Sequence, residues 1–337
     1  MRRYIFAAVA IAVGLASVAA LAQFGGGYRG PRGGEAAFTA ESPPGTNPTA
    51  TGTDAIAIGD GAIAGNTAGD NSAVAIGANA NVTGAEGVAI GQFTDATGAN
   101  SIAIGGASTD GPSADATNTG SIAIGNNSLA SGAHGLAIGT NTTSSATDGI
   151  AIGRSASATA NCTAIGGDAT DSDSADCSAA DSVAIGHYIL ADDIGEFAFA
   201  SGEFAAQSDA HTSIYVLRNQ TTDASQTELF TDASAGAISV PSDCTNIARI
   251  SIVARQANED GTSAMYFIVV GLDNNAGTTA VLQAATITTI FEDTNASAWD
   301  VDATADNTND SINVLVTGAA SDNINWVARA EVVESCG

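Results

Sequence analysis

One short phrase, bulky residue–alanine–isoleucine–glycine, returns nine times between Asp54 and Gly186 and leaves few folds open. Its closing glycines are Gly59, Gly77, Gly91, Gly105, Gly125, Gly139, Gly153, Gly166 and Gly186, spaced 18, 14, 14, 20, 14, 14, 13 and 20 residues apart. The unit is therefore 14 residues, with additions of four or six in three coils and one deletion. Self-similarity at a fixed period marks stacked repeats, and it outranks any local propensity.

Between Ser72 and Glu86, Val74-Ala75-Ile76 alternates large, small, large before Gly77. A second segment, Ala78 to Thr83, alternates small apolar with polar residues, and Gly84 closes it. Glycine admits positive φ and close backbone approach, so both glycines mark turns. The spacing predicts two strands of about five residues and two turns per unit, since clusters separated by glycines do not follow a 3.6-residue period. Each repeat is read as one coil of a parallel β-solenoid, pairing with the coil above it.

In so thin a coil, one face of each strand looks inward and the other outward. Alanine and glycine suit the narrow interior. That turns Ile56, Ile58, Val74, Ile76, Val88, Ile90, Ile102, Ile104, Ile122, Ile124, Leu136, Ile138, Ile150, Ile152, Val183 and Ile185 outward. Were the faces reversed, these residues would fill the coil themselves. Each is worth about 1.5–3 kcal/mol when buried, and a stripe of this length exceeds the apolar patch a monomer normally shows. A sheet apolar on both faces is one covered on both. The natural cover is further copies of the chain about a symmetry axis.

The phrases Ser101-Ile102-Ala103-Ile104-Gly105, Ser121-Ile122-Ala123-Ile124-Gly125 and Ser182-Val183-Ala184-Ile185-Gly186 resemble the repeat of YadA-type heads in trimeric autotransporter adhesins. The resemblance implies a left-handed parallel β-roll, a homotrimer with three chains side by side, and a role in sticking to surfaces. The pattern departs at Thr163, which takes the first bulky position, and at insertions over 66–69, 109–117 and 168–177. No heptad stalk and no terminal membrane barrel are legible, so attachment is expected to rest on a partner, the leader or polymerisation.

Lysine is absent, and 36 acids against nine arginines leave a net charge of −27. Such a surface repels nucleic acid and anionic membranes and suits a salty or divalent-rich setting. Residues 1–22 have the form of a signal peptide: Arg2 and Arg3, an apolar stretch from Ile5 to Val18, and Ala20-Leu21-Ala22 before the cut. An uncleaved anchor is the alternative. Once the signal is removed, no integral membrane segment remains, and the chain is expected to be secreted, extracellular or at the cell surface. Residues 23–52, with Gly25-Gly26-Gly27 and Pro43-Pro44, form a leader expected to be flexible and unpacked. The β-roll is placed at 53–205, its last coil Phe197-Ala198-Phe199-Ala200 capping the open end.

Residues 206–337 have another character. Alternating runs over 213–218, 226–230, 248–255, 264–271, 278–291, 311–317 and 323–334 are separated by turn-rich pieces. Trp299, Trp326, Tyr215, Phe230, Tyr266, Phe267 and Phe291 supply the large residues of a core that the repeats lack. Short strands without a helical pattern predict an antiparallel β-sandwich or jelly roll. Tyr215–Thr222, Ala298–Val301 and Trp326–Arg329 resemble a terminal β-domain of phage and prophage tail-fibre-like proteins. That likeness implies the end of a trimeric fibre and no particular binding residue. An export signal fits a secreted relative better than a virion part.

For an exported chain, Cys162, Cys177, Cys244 and Cys336 are disulfide candidates. Cys162 with Cys177 would staple a coil and Cys244 with Cys336 would lock the last strand; an interchain bridge through Cys336 is the competing arrangement. No CxxC spacing supports a metal. His134, His187 and His211 are scattered, with no convergent partner for catalysis. Asp171, Asp173 and Asp176, and Asp300 with Asp302, could hold calcium through oxygen, but solvated turns are the simpler reading, and no cofactor is otherwise implied. Nucleotide loops, nucleophile elbows and zinc-protease motifs are missing, and no carboxylate pair stands out for glycoside cleavage. The expectation is a non-enzymatic, all-β surface or extracellular fibre protein acting in adhesion. The alternative is a filament or matrix subunit that polymerises end to end; a polysaccharide-acting enzyme and a threonine-faced ice binder are more distant. The surface ligand is not legible.

Overall fold

A computed structural model describes residues 38–40, 46–65, 72–108, 113–167, 174–232, 236–257 and 261–337. The signal segment, Asp171 and Asp173, and most of the three insertions lie outside these residues. The chain forms two compact units dividing between Ser131 and Gly132.

The first unit is a parallel β-solenoid. One ladder runs through Phe38–Ala40, Ile56–Ile58, Val74–Ile76, Val88–Ile90, Ile102–Ile104 and Ile122–Ile124, paired parallel and in register. The second runs through Thr49–Ala50, Ile63–Ala64, Asn81–Val82, Asp95–Ala96, Asp115–Ala116 and Leu129–Ala130. Strands of three and two residues, shorter than the expected five, leave more of each coil to its turns. Positive-φ residues recur every seven positions at Ser72, Asn79, Glu86, Phe93 and Asn100, one for each turn. The leader is corrected here: Phe38–Ala40 and Thr49–Ala50 already form rungs, so the solenoid begins ahead of residue 53.

The phrase itself has a structural cause. Its alanines, Ala57, Ala75, Ala89, Ala103 and Ala123, are fully buried inside the coil. Its glycines adopt φ of +125° at Gly59 and +132° at Gly91, and a Cβ on Gly77 would lie 2.3 Å from the Gly91 carbonyl oxygen one coil above. Only glycine tolerates both constraints. The serine that opens several phrases is a turn lock: the buried hydroxyls of Ser101 and Ser121 donate to the carbonyls of Gly98 and Asn118, each at 2.7 Å.

The second unit continues the same design with Leu136–Ile138, Ile150–Ile152, Thr163–Ile165, Val183–His187 and Phe197–Ser201 in one parallel ladder. Cys162 and Cys177 are bridged in the coil interior. Phe197–Ser201 does not cap an open end. It pairs antiparallel with Ala210–Thr221, so the solenoid sheet runs directly into a long antiparallel sheet ordered Ala210–Thr221, Ile324–Cys336, Cys244–Gln256, Ser263–Asn274, Thr279–Glu292. A small sheet built on Ser311–Thr317, with Gln226–Glu228, Ile238–Ser239 and Asp300–Asp306 around it, packs on one face of the long sheet and completes a β-sandwich.

The sandwich core holds Ile250, Ile252, Ile268, Leu272, Ile312 and Val314 around Trp326. The Trp326 ring stacks 6.5 Å from Tyr266 and sits 5.8 Å from Trp299, and its indole N–H donates to Thr221 Oγ1 at 2.9 Å. Phe291 is not in this core; it stands 47% exposed on the edge strand, and Phe230 and Phe267 are half-buried. Cys244 and Cys336 sit directly opposite on neighbouring strands and are joined within one chain.

Candidate functional site

Two regions could carry function: the outer face of the solenoid ladder, and a polar cavity where the last coils meet the sandwich. On the outer face the alternation is strict. In each rung the central alanine is fully buried, while the flanking branched residues, Ile56 and Ile58 through Val183 and Ile185, are half-buried or exposed. Ile90 and Ile185 reach 38% and 37% exposure. Phe197 and Phe199 extend the stripe opposite Val183 and Ile185.

The cavity, of about 390 Å³, is lined by Asp192, Asp193, Glu196, Asp209, His211, Tyr215 and Glu334 among others, and no arginine lines it among the described residues. Glu196 is buried: its Oε2 accepts the backbone N–H of Asp192 and Asp193 at 3.1 and 3.2 Å, and its Oε1 accepts the Ser213 hydroxyl. Asp193 accepts the Tyr215 hydroxyl at 3.1 Å and both the backbone N–H and the hydroxyl of Ser239. His211 donates Nδ1–H to the Ser208 carbonyl at 2.9 Å and stands 3.9 Å from Glu196 and 3.6 Å from Glu334. Asp209 accepts three backbone N–H groups, from Phe204, Ala205 and Ala206.

Burial, and then the charges of neighbouring carboxylates, push Glu196 up to about 7 and Glu334 up to about 8. Burial also holds the His211 imidazole below its usual value. For Asp209 burial works against the charge, but the three N–H groups outweigh it and lower the value. Groups titrating near neutrality suit acid–base chemistry. Here, however, the acceptors of Glu196 and Asp193 are taken by backbone and hydroxyl donors from three parts of the chain. The arrangement ties the last coil to both sheets.

The structure thus gathers one of the three histidines, His211, with acids that sequence reading left dispersed. The missed signal is Asp192-Asp193 with Glu196, three acids just before the last rung. His134 pairs with Asp148 at 3.3 Å on the surface, and His187 lies beside Tyr188. Asp300 and Asp302 are corrected from turn to strand, each carboxylate accepting the next residue's N–H. Asp176 accepts from Ser174 and Gln207. Cys244, Glu334 and Cys336 come within 4.8 Å of one another, but the two sulfurs form a disulfide and offer no thiolate. No helix among the described residues is long and apolar enough to cross a membrane.

No curated protein matches this sequence. Among solved structures, the tailspike protein gp49 of Acinetobacter baumannii bacteriophage Fri1, a capsular polysaccharide depolymerase, is 10% identical with a TM-score of 0.28, over 83% of this chain and 40% of that one. The tailspike of Acinetobacter phage vB_ApiP_P1 is 10% identical with a TM-score of 0.18, over 90% and 54%. The chain therefore spans about half or less of those proteins' length. The YadA head domain repeat matches residues 50–80, 68–94, 96–109, 111–128, 116–142 and 130–156. The solenoid strands between residues 50 and 156 are thus similar to YadA head repeats.

Proposed function

We propose that this chain is a secreted, homotrimeric fibre protein of the cell surface or extracellular space, acting in attachment without catalysing a reaction. The observation that supports it most is the strict division of each rung, with alanine fully buried inside and branched residues half-exposed outside. A coil with an alanine interior has no room to turn those side chains inward. Their burial requires other chains, and the in-register ladder offers the same surface at every level, as side-by-side copies need. The YadA head repeats point to three copies and to adhesion. The cavity is a structural joint in this reading.

Light scattering on the mature protein at micromolar concentration tests it. The expected mass is that of three chains, and immobilised protein retains particles or cells bearing the surface it recognises. A stable single-copy mass with no tendency to associate would end the reading. Turnover of a glycan panel would replace attachment with catalysis.

A further inference from the structure

The long sheet of the second unit ends on Thr279–Glu292, and this 14-residue strand differs from its neighbours. Only Thr279 is buried and Ala285 half-buried; the rest of the strand is exposed. Register sets Val281 opposite Leu272 and Ile287 opposite Ile268, two fully buried residues. Val281 and Ile287 therefore face the core side, yet are 40% and 41% exposed. Leu282 and Ile290, at two register shifts, are 63% and 62% exposed. From Thr279 to Phe291 no residue is charged, in a chain of net charge −27.

No strand among the described residues pairs with the free edge. Natural edges are protected by charge, proline, bulges or cover. This one has register shifts but no proline, and its single charge is the terminal Glu292. A strand apolar on both faces calls for cover on both.

We propose that Thr279–Glu292 is an intersubunit strand, packed against a second copy of this chain. The proposal rests on assigning the isoleucine–valine stripe to contacts between copies, and continuity carries it from there. Within the second unit, the outer face of the solenoid ladder and the outer face of the long sheet are one face of one sheet, since Phe197 pairs with Ile214 on the same side. Across that face Val327, Val253, Met265 and Phe291 lie in a direct cross-strand row, and all four are exposed. A copy seated on the stripe meets this row and the strand that ends it.

Hydrogen exchange on the full mature chain tests this, beside a Leu282→Asp/Ile290→Asp variant whose substitutions fall on side chains outside the core. In the native oligomer, amides over 280–291 are expected to exchange at least about tenfold more slowly than the exposed turn at 222–225. The variant loses that protection and needs about tenfold more protein to assemble. An oligomer whose 280–291 amides exchange as fast as that turn overturns the proposal and leaves the stripe standing, whether or not the variant folds. A single-copy native mass overturns both.

Discussion

The coils and the sandwich bury apolar residues in opposite ways. A coil encloses mostly alanines and small polar residues, with an occasional larger side chain such as Val82, Cys177 or Ile189, and turns the isoleucines of its repeated phrase out. The sandwich encloses Trp326, Ile268, Leu272 and Ile312 and needs no second chain for that core. Each coil is held by its neighbours' backbone ladders and by glycines that admit the close approach, so its stability is local and additive along the stack. The sandwich closes a core over distant segments, from Tyr215 to Val332. Thus one region encloses its large apolar residues within a chain, and the other leaves them half-exposed at every level.

The two disulfides sharpen this contrast most. Cys244–Cys336 closes a separation of 92 residues and Cys162–Cys177 one of 15. Loop-closure entropy assigns about 4.7 kcal/mol to a loop near 100 residues and about 3 kcal/mol to one of 15. Cys244→Ala/Cys336→Ala is therefore expected to lower unfolding stability more than Cys162→Ala/Cys177→Ala, as read by denaturant titration. The contrast breaks if the coil staple proves the costlier loss.

Truncating one large residue in each region separates the two modes of burial further. Ile268→Ala empties part of a closed core and is expected to cost about 2–5 kcal/mol, at any protein concentration. Ile104→Ala removes a side chain that its own coil leaves half-exposed, so little is lost within one chain. Its cost should appear only where copies assemble and should grow with protein concentration in thermal unfolding. An Ile104→Ala penalty independent of concentration would mean that the coil buries its own stripe.

The repeat region was legible in the sequence because its constraints are local. Alanine is the largest residue that suits the centre of most rungs, glycine is needed where a Cβ would strike the next coil, and both recur at the structural period. Phe38–Ala40 escaped notice because it lacks the closing glycine. In the sandwich, Ser311–Thr317 was readable by alternation alone, whereas Asp300–Asp306 was hidden by its acids, which face solvent from a strand. Phe291 misled because hydrophobicity does not reveal whether a sheet extends past its cover. The polar joint left only one trace in the sequence, the acids Asp192, Asp193 and Glu196: Glu334 lies far along the chain, and only the antiparallel return of Ile324–Cys336 beside Ala210–Thr221 brings it opposite His211.

That joint gives the smallest expected effect and the most specific one. Glu196 and Glu334 titrate at about 7 and about 8 in the folded chain, above the ordinary glutamate value. Between those limits the folded protein holds protons that the unfolded chain has released, so stability falls as pH rises from about 5 to 8. His211 acts in the opposite sense, because its depressed value withholds a proton that the unfolded chain takes up below its ordinary range. Two glutamates against one histidine leave the alkaline loss dominant. Entry of water into the cavity as the carboxylates ionise softens it. Glu334→Gln keeps the shape and removes one of the titrations, so its thermal midpoint should decline less than the parent's between pH 5 and 8, with the gap widest at pH 8. Parallel decline of the two midpoints would show that the joint ionises without cost, and the coil-to-sandwich connection would then rest on the continuous sheet alone.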